Sequence, residues 1–216
     1  MNLETNLVVM RVFFIATLVI FFSFLEWWVH KYPMHSKKFK KYPILGLLFE
    51  SHIGSNGHHS RHGYCPNHPE CFEDDHEHEP ILQKFWFGFF VAFWGSIPLF
   101  LLELLTSFDY HLTLICFVSI YAYYWMFEMV HIATHDGKHW QREFLRKIGY
   151  FEIMLSHHMV HHTIKFNMNY ALVNHWADYL FGTKYQARKS SVLMVRMITS
   201  VVLLGFLTSF LNLVYR

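Results

Sequence analysis

The sequence predicts an all-α integral membrane protein, with four transmembrane helices and a cytoplasmic histidine-rich helical cap that holds a binuclear metal site. Three observations carry the prediction. Four apolar runs, at about 7–29, 85–105, 112–130 and 192–213, each reach the roughly 20 helical residues that cross a hydrocarbon core about 30 Å thick. Lysine and arginine concentrate in 30–84 and 131–191, two of the three segments between the runs. Of the 18 histidines in this 216-residue chain, all but His111 fall in those same two segments. The chain reads as one domain over 1–216.

The first run ends in Trp27 and Trp28, rings that prefer the lipid headgroups. Its length, its single early Arg11 and the lack of a small-residue cleavage site set it apart from a signal sequence. Segment 30–84 follows with Lys31, Lys37, Lys38, Lys40, Lys41, Arg61 and Lys84. The second run opens near Trp86, carries Pro98, which predicts a kink, and places Glu103 near its far end, where an interfacial carboxylate is expected. The link 106–111 has no lysine or arginine. After the third run, 131–191 carries Lys138, Arg142, Arg146, Lys147, Lys165, Lys184, Arg188 and Lys189. The bias of positive charge toward the cytoplasmic side puts 30–84 and 131–191 inside, and the link and both termini outside. Two shorter patches, 44–49 and 148–155, are too brief to span and are expected at the membrane interface.

Composition agrees. Hydrophobic residues make up 53% of the chain and aromatic residues 19%, more than an ordinary soluble domain carries. A net charge of +2 gives no basic field of the kind that binds nucleic acid. Cys65, Cys71 and Cys116 are odd in number, and Cys116 lies in an apolar run, so no disulfide framework is expected. The polar stretch 63–80, "GYCPNHPECFEDDHEHEP", lacks the spacing of a zinc knuckle and reads as an exposed loop.

The histidine spacings suit metal binding. In "HIATH", His131 and His135 are four apart on one helix face. In "HHMVHH", His157, His158, His161 and His162 repeat that spacing. His30 and His35, five apart, fall on less aligned faces and need a bent helix or two ions. His52, His58, His59 and His62 add donors from the first segment. A single zinc takes three or four protein ligands, so this supply points to two metals. Glu26 stands one turn before His30 and Glu128 three residues before His131; each is placed to accept a ligand's far ring N–H. Asp178 and Asp136 are further carboxylates for that role, while His111 and His139 read as interfacial.

These residues resemble the fatty acid hydroxylase superfamily of membrane di-iron enzymes, which includes sterol desaturases and lipid hydroxylases. The matching parts run from Glu26 to Thr183: the H-x4-H of "HKYPMH", the double histidine of "GHHSRH", the H-x3-H of "HIATH", the H-x2-H-H of "HMVHH", and the tail "NYALVNHWADYLFGT". The chain departs from the pattern in two places. Gly54 and Ser55 stand where a histidine usually precedes the double histidine, leaving His52 as the nearest substitute. In the tail, Ala171 replaces a glycine and Ala177 separates Trp176 from Asp178, with His175 beside it as a possible extra member of the ligand shell.

The resemblance implies two iron ions, with zinc able to replace them on isolation, and dioxygen as co-substrate. The ligands carried over are His30, His35, His52, His58, His59, His131, His135, His158, His161 and His162, with His62, His157 and His175 as further members. The implied reaction is hydroxylation of an unactivated C–H bond in a lipid drawn from the bilayer. With no haem module or nucleotide fingerprint in the chain, electrons are expected from a separate protein. A desaturase or a carotenoid or sterol oxygenase fits the same scaffold. From a different class, a histidine-rich metal transporter or zinc-binding membrane protein needs ionisable ligands near the bilayer midplane, whereas here they follow the helix ends.

Overall fold

The computed structural model describes residues 3–54, 57, 59, 85–106, 111–135, 140–165 and 167–214. Its helices are α1 (Leu3–Val29), α2 (Pro43–Ile53), α3 (Phe85–Thr106), α4 (Leu112–His135), α5 (Trp140–Lys147), α6 (Phe151–Met159), α7 (Trp176–Phe181) and α8 (Lys189–Val214). π-helical turns at His30–Met34 and Val160–Ile164 continue α1 and α6, and a 3₁₀ turn spans Lys37–Phe39. No strand occurs among the described residues. The four apolar runs are α1, α3, α4 and α8, and all four are long and apolar enough to cross a membrane. α4 extends to His135, so the "HIATH" histidines belong to the helix rather than to the segment after it.

The described residues form two compact units. One comprises those within Met1–Phe22, Gln83–Trp125 and Arg188–Arg216; the other, those within Ser23–Leu82 and Met126–Ala187.

In the first unit, Met10, Phe14, Leu18 and Phe22 recur every fourth residue, as a helix stripe requires, and pack with Leu112 and Cys116 of α4. Phe206 of α8 meets Phe14 at 5.6 Å between ring centroids. Gly88 admits the Tyr124 ring: a Cβ there would lie 2.2 Å from Cδ1. The outward stripe of α1 is also apolar, with Val8, Val12, Ile15 and Val19 exposed, as are Phe90, Trp94 and Leu105 of α3. Apolar faces this extensive suit lipid rather than water.

Glu103 has a defined task. Its carboxylate accepts from Leu112 N at 2.6 Å, Thr113 N at 3.2 Å and the Thr113 hydroxyl at 2.5 Å. These are orphan donors at the start of α4, where a negative charge also faces the positive end of the helix dipole. Replacing Glu103 with Ala should cost about 1–2 kcal/mol, seen as lower thermal stability in detergent, and Glu103→Gln should cost less because one acceptor oxygen remains.

The second unit holds two apolar clusters. Val130, Ala133, Leu145, Phe151, Met154 and Leu172 form one; Trp27, Tyr170, Ala171 and Ala177 form the other. The short patches 44–49 and 148–155 each turn one side inward, burying Phe49, Phe151 and Met154 while exposing Leu47, Ile148 and Ile153. α7 stops at Gly182, whose φ of 71° supplies the left-handed C-cap.

Candidate metal centre

α1 ends where its geometry changes. An α-helix would leave His30 and His35 about 140° apart around the axis. The π-turn at His30–Met34, which contains Pro33, closes over five residues instead of four. Residues five apart therefore return to one side, and the two rings come within 5.1 Å. The second π-turn carries His161 and His162 in the same way.

Five histidines converge. One ring nitrogen from each of His30, His35, His52, His59 and His161 lies within 4.8 Å of all the others. The Nε2 atoms of His30 and His52 are 3.0 Å apart, those of His35 and His161 3.1 Å, those of His52 and His35 3.2 Å, and those of His59 and His52 3.1 Å. Nitrogens about 2.0–2.1 Å from an ion stand about 3 Å apart when the bonds meet at right angles, so these spacings are those of ligands around one metal. Hydrogen bonding alone explains them poorly, because His52 Nε2 has three such neighbours and at most one proton to offer.

The tautomers of two ligands follow from their other nitrogens. His30 Nδ1 is 2.6 Å from the Tyr170 carbonyl and His161 Nδ1 is 2.8 Å from the Met168 carbonyl. A carbonyl oxygen only accepts, so each Nδ1 carries the proton and each Nε2 presents a lone pair. Both carbonyls belong to one strap, residues 168–173, between the second π-turn and α7.

Two carboxylates hold that strap by four consecutive amides. Asp178 accepts from Tyr170 N at 3.0 Å on Oδ1 and from Ala171 N at 2.8 Å on Oδ2. Glu26 Oε1 accepts from Leu172 N and, at 3.1 Å, from Val173 N. The Tyr150 hydroxyl donates to the Val173 carbonyl. Ser23 Oγ donates to the Asn174 carbonyl at 2.9 Å and accepts from Ala177 N at 3.0 Å. Trp27 Nε1 donates to Thr183 Oγ1 at 2.8 Å, and that hydroxyl donates to Asp178 Oδ1 at 2.6 Å. Asn169 takes the left-handed conformation, φ 57°, which asparagine tolerates. Its amide donates to the His157 carbonyl at 3.1 Å and accepts from Tyr185 N at 2.8 Å.

This corrects the role expected of Glu26. It was expected to accept the His30 ring proton, and the Tyr170 carbonyl does so instead. Glu26 acts one step further out, on the strap that carries that carbonyl. Ser23 and Tyr150 are not singled out by the sequence, and Asn169 and Thr183 enter it only as the two ends of the quoted tail, with no role given; their contacts join residues far apart in the chain, and no local spacing announces them.

The remaining histidines divide. His162 stacks on His59 at 4.3 Å, and His158 meets His162 at 4.3 Å and His131 at 6.0 Å. These rings lead away from the five. Glu128 is buried one turn before His131. The backbone of His135 lies in α4, but its side chain is outside the described residues, as are His58, His62, Asp136 and His139. His157 and His175 stack face to face at 3.5 Å, and Lys184 Nζ donates to Nδ1 of each. His157 therefore carries its proton on Nε2, 3.2 Å from Asp178 Oδ2. With Nδ1 accepting from Lys184 and the proton on Nε2, it has no lone pair to give a metal. His175 likewise turns Nδ1 to Lys184 rather than to the five.

Burial is the main influence on charge. It lowers His35 to about 3, with the neighbouring His161 adding to the effect. It lowers His161 to about 4, partly offset by the Met168 carbonyl, and takes His52 well below the ordinary value. His175 is lowered to about 2 by burial, His157 and Lys184. Burial would raise the Asp178 carboxyl, but its contacts with His157, Thr183 and the Ala171 amide prevail and lower it. The imidazoles of His35, His52 and His161 are thus neutral near pH 7, as metal binding requires. An unfolded histidine titrates near 6.5, so below that pH the unfolded chain binds more protons than the folded one and stability falls with pH. Thermal unfolding of the metal-free protein should show a flat Tm above about pH 7 and a falling Tm below about 6.5; a Tm that rises on acidification contradicts this.

The donor set fits iron or zinc, both of which accept imidazole. Fold and site together define a helical chain with four membrane-length helices and a partly buried polyhistidine centre able to hold a metal. No family model matches the chain, and no curated protein or solved structure does so either.

Proposed function

We propose that the chain is a membrane-bound di-iron oxygenase that hydroxylates an unactivated C–H bond of a lipid or fatty acyl chain with dioxygen. The observation that carries this reading is the convergence of His30, His35, His52, His59 and His161 in a partly buried group, in a chain with four helices of membrane-spanning length. Those five would hold one iron. His131, His135, His158 and His162 would hold the second. Bound iron would supply dioxygen activation, chemistry that amino-acid side chains lack.

The chain's own residues do the rest. The Tyr170 and Met168 carbonyls keep the Nδ1 protons of His30 and His161 and aim their Nε2 atoms. Glu26 and Asp178 fix those carbonyls through the strap. Burial of His52 and His161 limits competing reactions with water. The centre lies on the cytoplasmic side in this reading, with the lipid arriving from the bilayer and electrons from a separate protein.

The test compares lipid extracts from cells expressing the wild type, His158→Ala and His161→Ala with iron supplied. A product heavier by one oxygen, present only with the wild type, is expected. A product lighter by two hydrogens would make the same centre a desaturase. Identical extracts across several lipid pools and electron donors would overturn the oxygenase reading and leave a metal-binding membrane protein.

A further inference from the structure

Beyond the histidines, the most concentrated charge in the described chain lies just after α1, in "KKFKKY", residues 37–42. The backbone here is tightly turned. Phe39 N donates to the Ser36 carbonyl at 3.0 Å, Lys40 N to Lys37 at 3.2 Å and Tyr42 N to Phe39 at 3.0 Å. Phe39 is fixed against Trp28 and Tyr42, at 6.3 and 6.4 Å between ring centroids. The four lysines are therefore confined to about one turn of chain. Lys40 is neutralised by Glu50 at 2.7 Å. Lys37, Lys38 and Lys41 are exposed, have no ion pair among the described residues, and line an open groove of about 450 Å³ with Phe39 and Tyr42. Among the described residues no carboxylate lines it.

We propose that Lys37, Lys38 and Lys41, with Phe39 and Tyr42, form a binding site for the phosphate headgroup of an anionic phospholipid. Three confined ammonium groups repel one another and favour an anion between them. Position selects its source. Lys37 follows Met34, the last residue of the membrane-length segment Glu4–Met34, by three positions, and three residues extend at most about 11 Å. That is close to the screening length of about 8 Å at physiological salt, so the lysines stand within the field of the bilayer surface. The charge bias of the sequence assigns this side to the cytoplasm, whose leaflet carries the anionic lipids. Tyr42 is a ring type found at headgroup level. Size also selects: six consecutive residues provide room for a headgroup, and far less than the roughly 800 Å² that each partner of a stable protein complex contributes. The site rests on the membrane-spanning reading of α1 and is independent of the metal chemistry.

Native mass spectrometry of the full chain in neutral detergent, with equimolar phosphatidylglycerol and phosphatidylcholine, tests it. The wild type should retain phosphatidylglycerol about fivefold over phosphatidylcholine. The triple variant Lys37→Gln/Lys38→Gln/Lys41→Gln should lose that preference, the corresponding triple arginine variant should keep it, and Lys40→Gln should leave it intact. Free glycerol phosphate at the lipid concentration should not compete. Equal retention of the two lipids by the wild type overturns the site, and needs no variant to fold. So do an unchanged preference in the triple glutamine variant, displacement by glycerol phosphate, or weakened capture of an acidic protein with lipid retention unaltered. Iron content measured on the same samples separates this outcome from that of the oxygenase reading, since the triple variant should bind as much iron as the wild type.

Discussion

His52→Ala should abolish loading of the ion held by the five histidines while leaving the metal-free protein folded. His52 Nε2 is the nitrogen nearest to three others, those of His30, His35 and His59, so its loss opens the centre of the group rather than one edge. Loss of even an outer-shell partner costs about 10–100-fold in metal affinity, and loss of this ligand should exceed the upper end of that range. A ligand that binds only the folded state raises its stability. Iron should therefore raise the Tm of the wild type by more than that of His52→Ala, which keeps only the second ion. His111→Asn is the control, since His111 is exposed and left-handed, φ 55°, and asparagine tolerates that conformation. Equal iron-induced shifts in wild type and His52→Ala would remove His52 from the centre.

Asp178→Asn should be the most damaging change away from the ligands. Both carboxylate oxygens face donors: Oδ1 the Tyr170 amide and the Thr183 hydroxyl, Oδ2 the Ala171 amide and the protonated Nε2 of His157. An asparagine has one oxygen, and either orientation aims its NH2 at another donor. Asp178 is fully buried, so no water relieves the clash. A loss of about 3 kcal/mol is expected, together with a fall in metal affinity of about 10–100-fold as the Tyr170 carbonyl leaves His30. Glu26→Gln should be much milder. Its Oε1 alone holds both Leu172 N and Val173 N at their shorter distances, and glutamine can keep that oxygen in place. Urea or thermal unfolding with metal titration of the two variants checks the order; equal losses would contradict the strap's division of labour.

The sequence made some of this legible and hid the rest for physical reasons. Helix length and apolar content are local properties, so the four long helices were readable to within a few residues. Convergence of the "HKYPMH" and "HMVHH" histidines was readable in kind but not in geometry. Spacing of five is ambiguous until the backbone is known to widen into a π-turn, and Pro33 was the one local sign of a departure from α geometry. The sequence offers His52 as one donor among four in the first segment, and the structure puts it at the hub. The carboxylates were assigned to their nearest imidazoles because spacing along a helix is all that a sequence offers. Glu26 instead reaches amides 146 and 147 residues away. His157 had the spacing of a ligand, but its partners Lys184 and Asp178 lie 27 and 21 positions on.

Iron counting tests the central claim most directly. The wild-type protein, purified without metal and saturated with ferrous iron in the absence of oxygen, should hold two ions per chain, each in a nitrogen-rich environment by Mössbauer spectroscopy. His161→Ala should lose the ion held by the five and His158→Ala the other. One ion or fewer per wild-type chain at saturation would contradict the binuclear centre, and with it the oxygenase built on it.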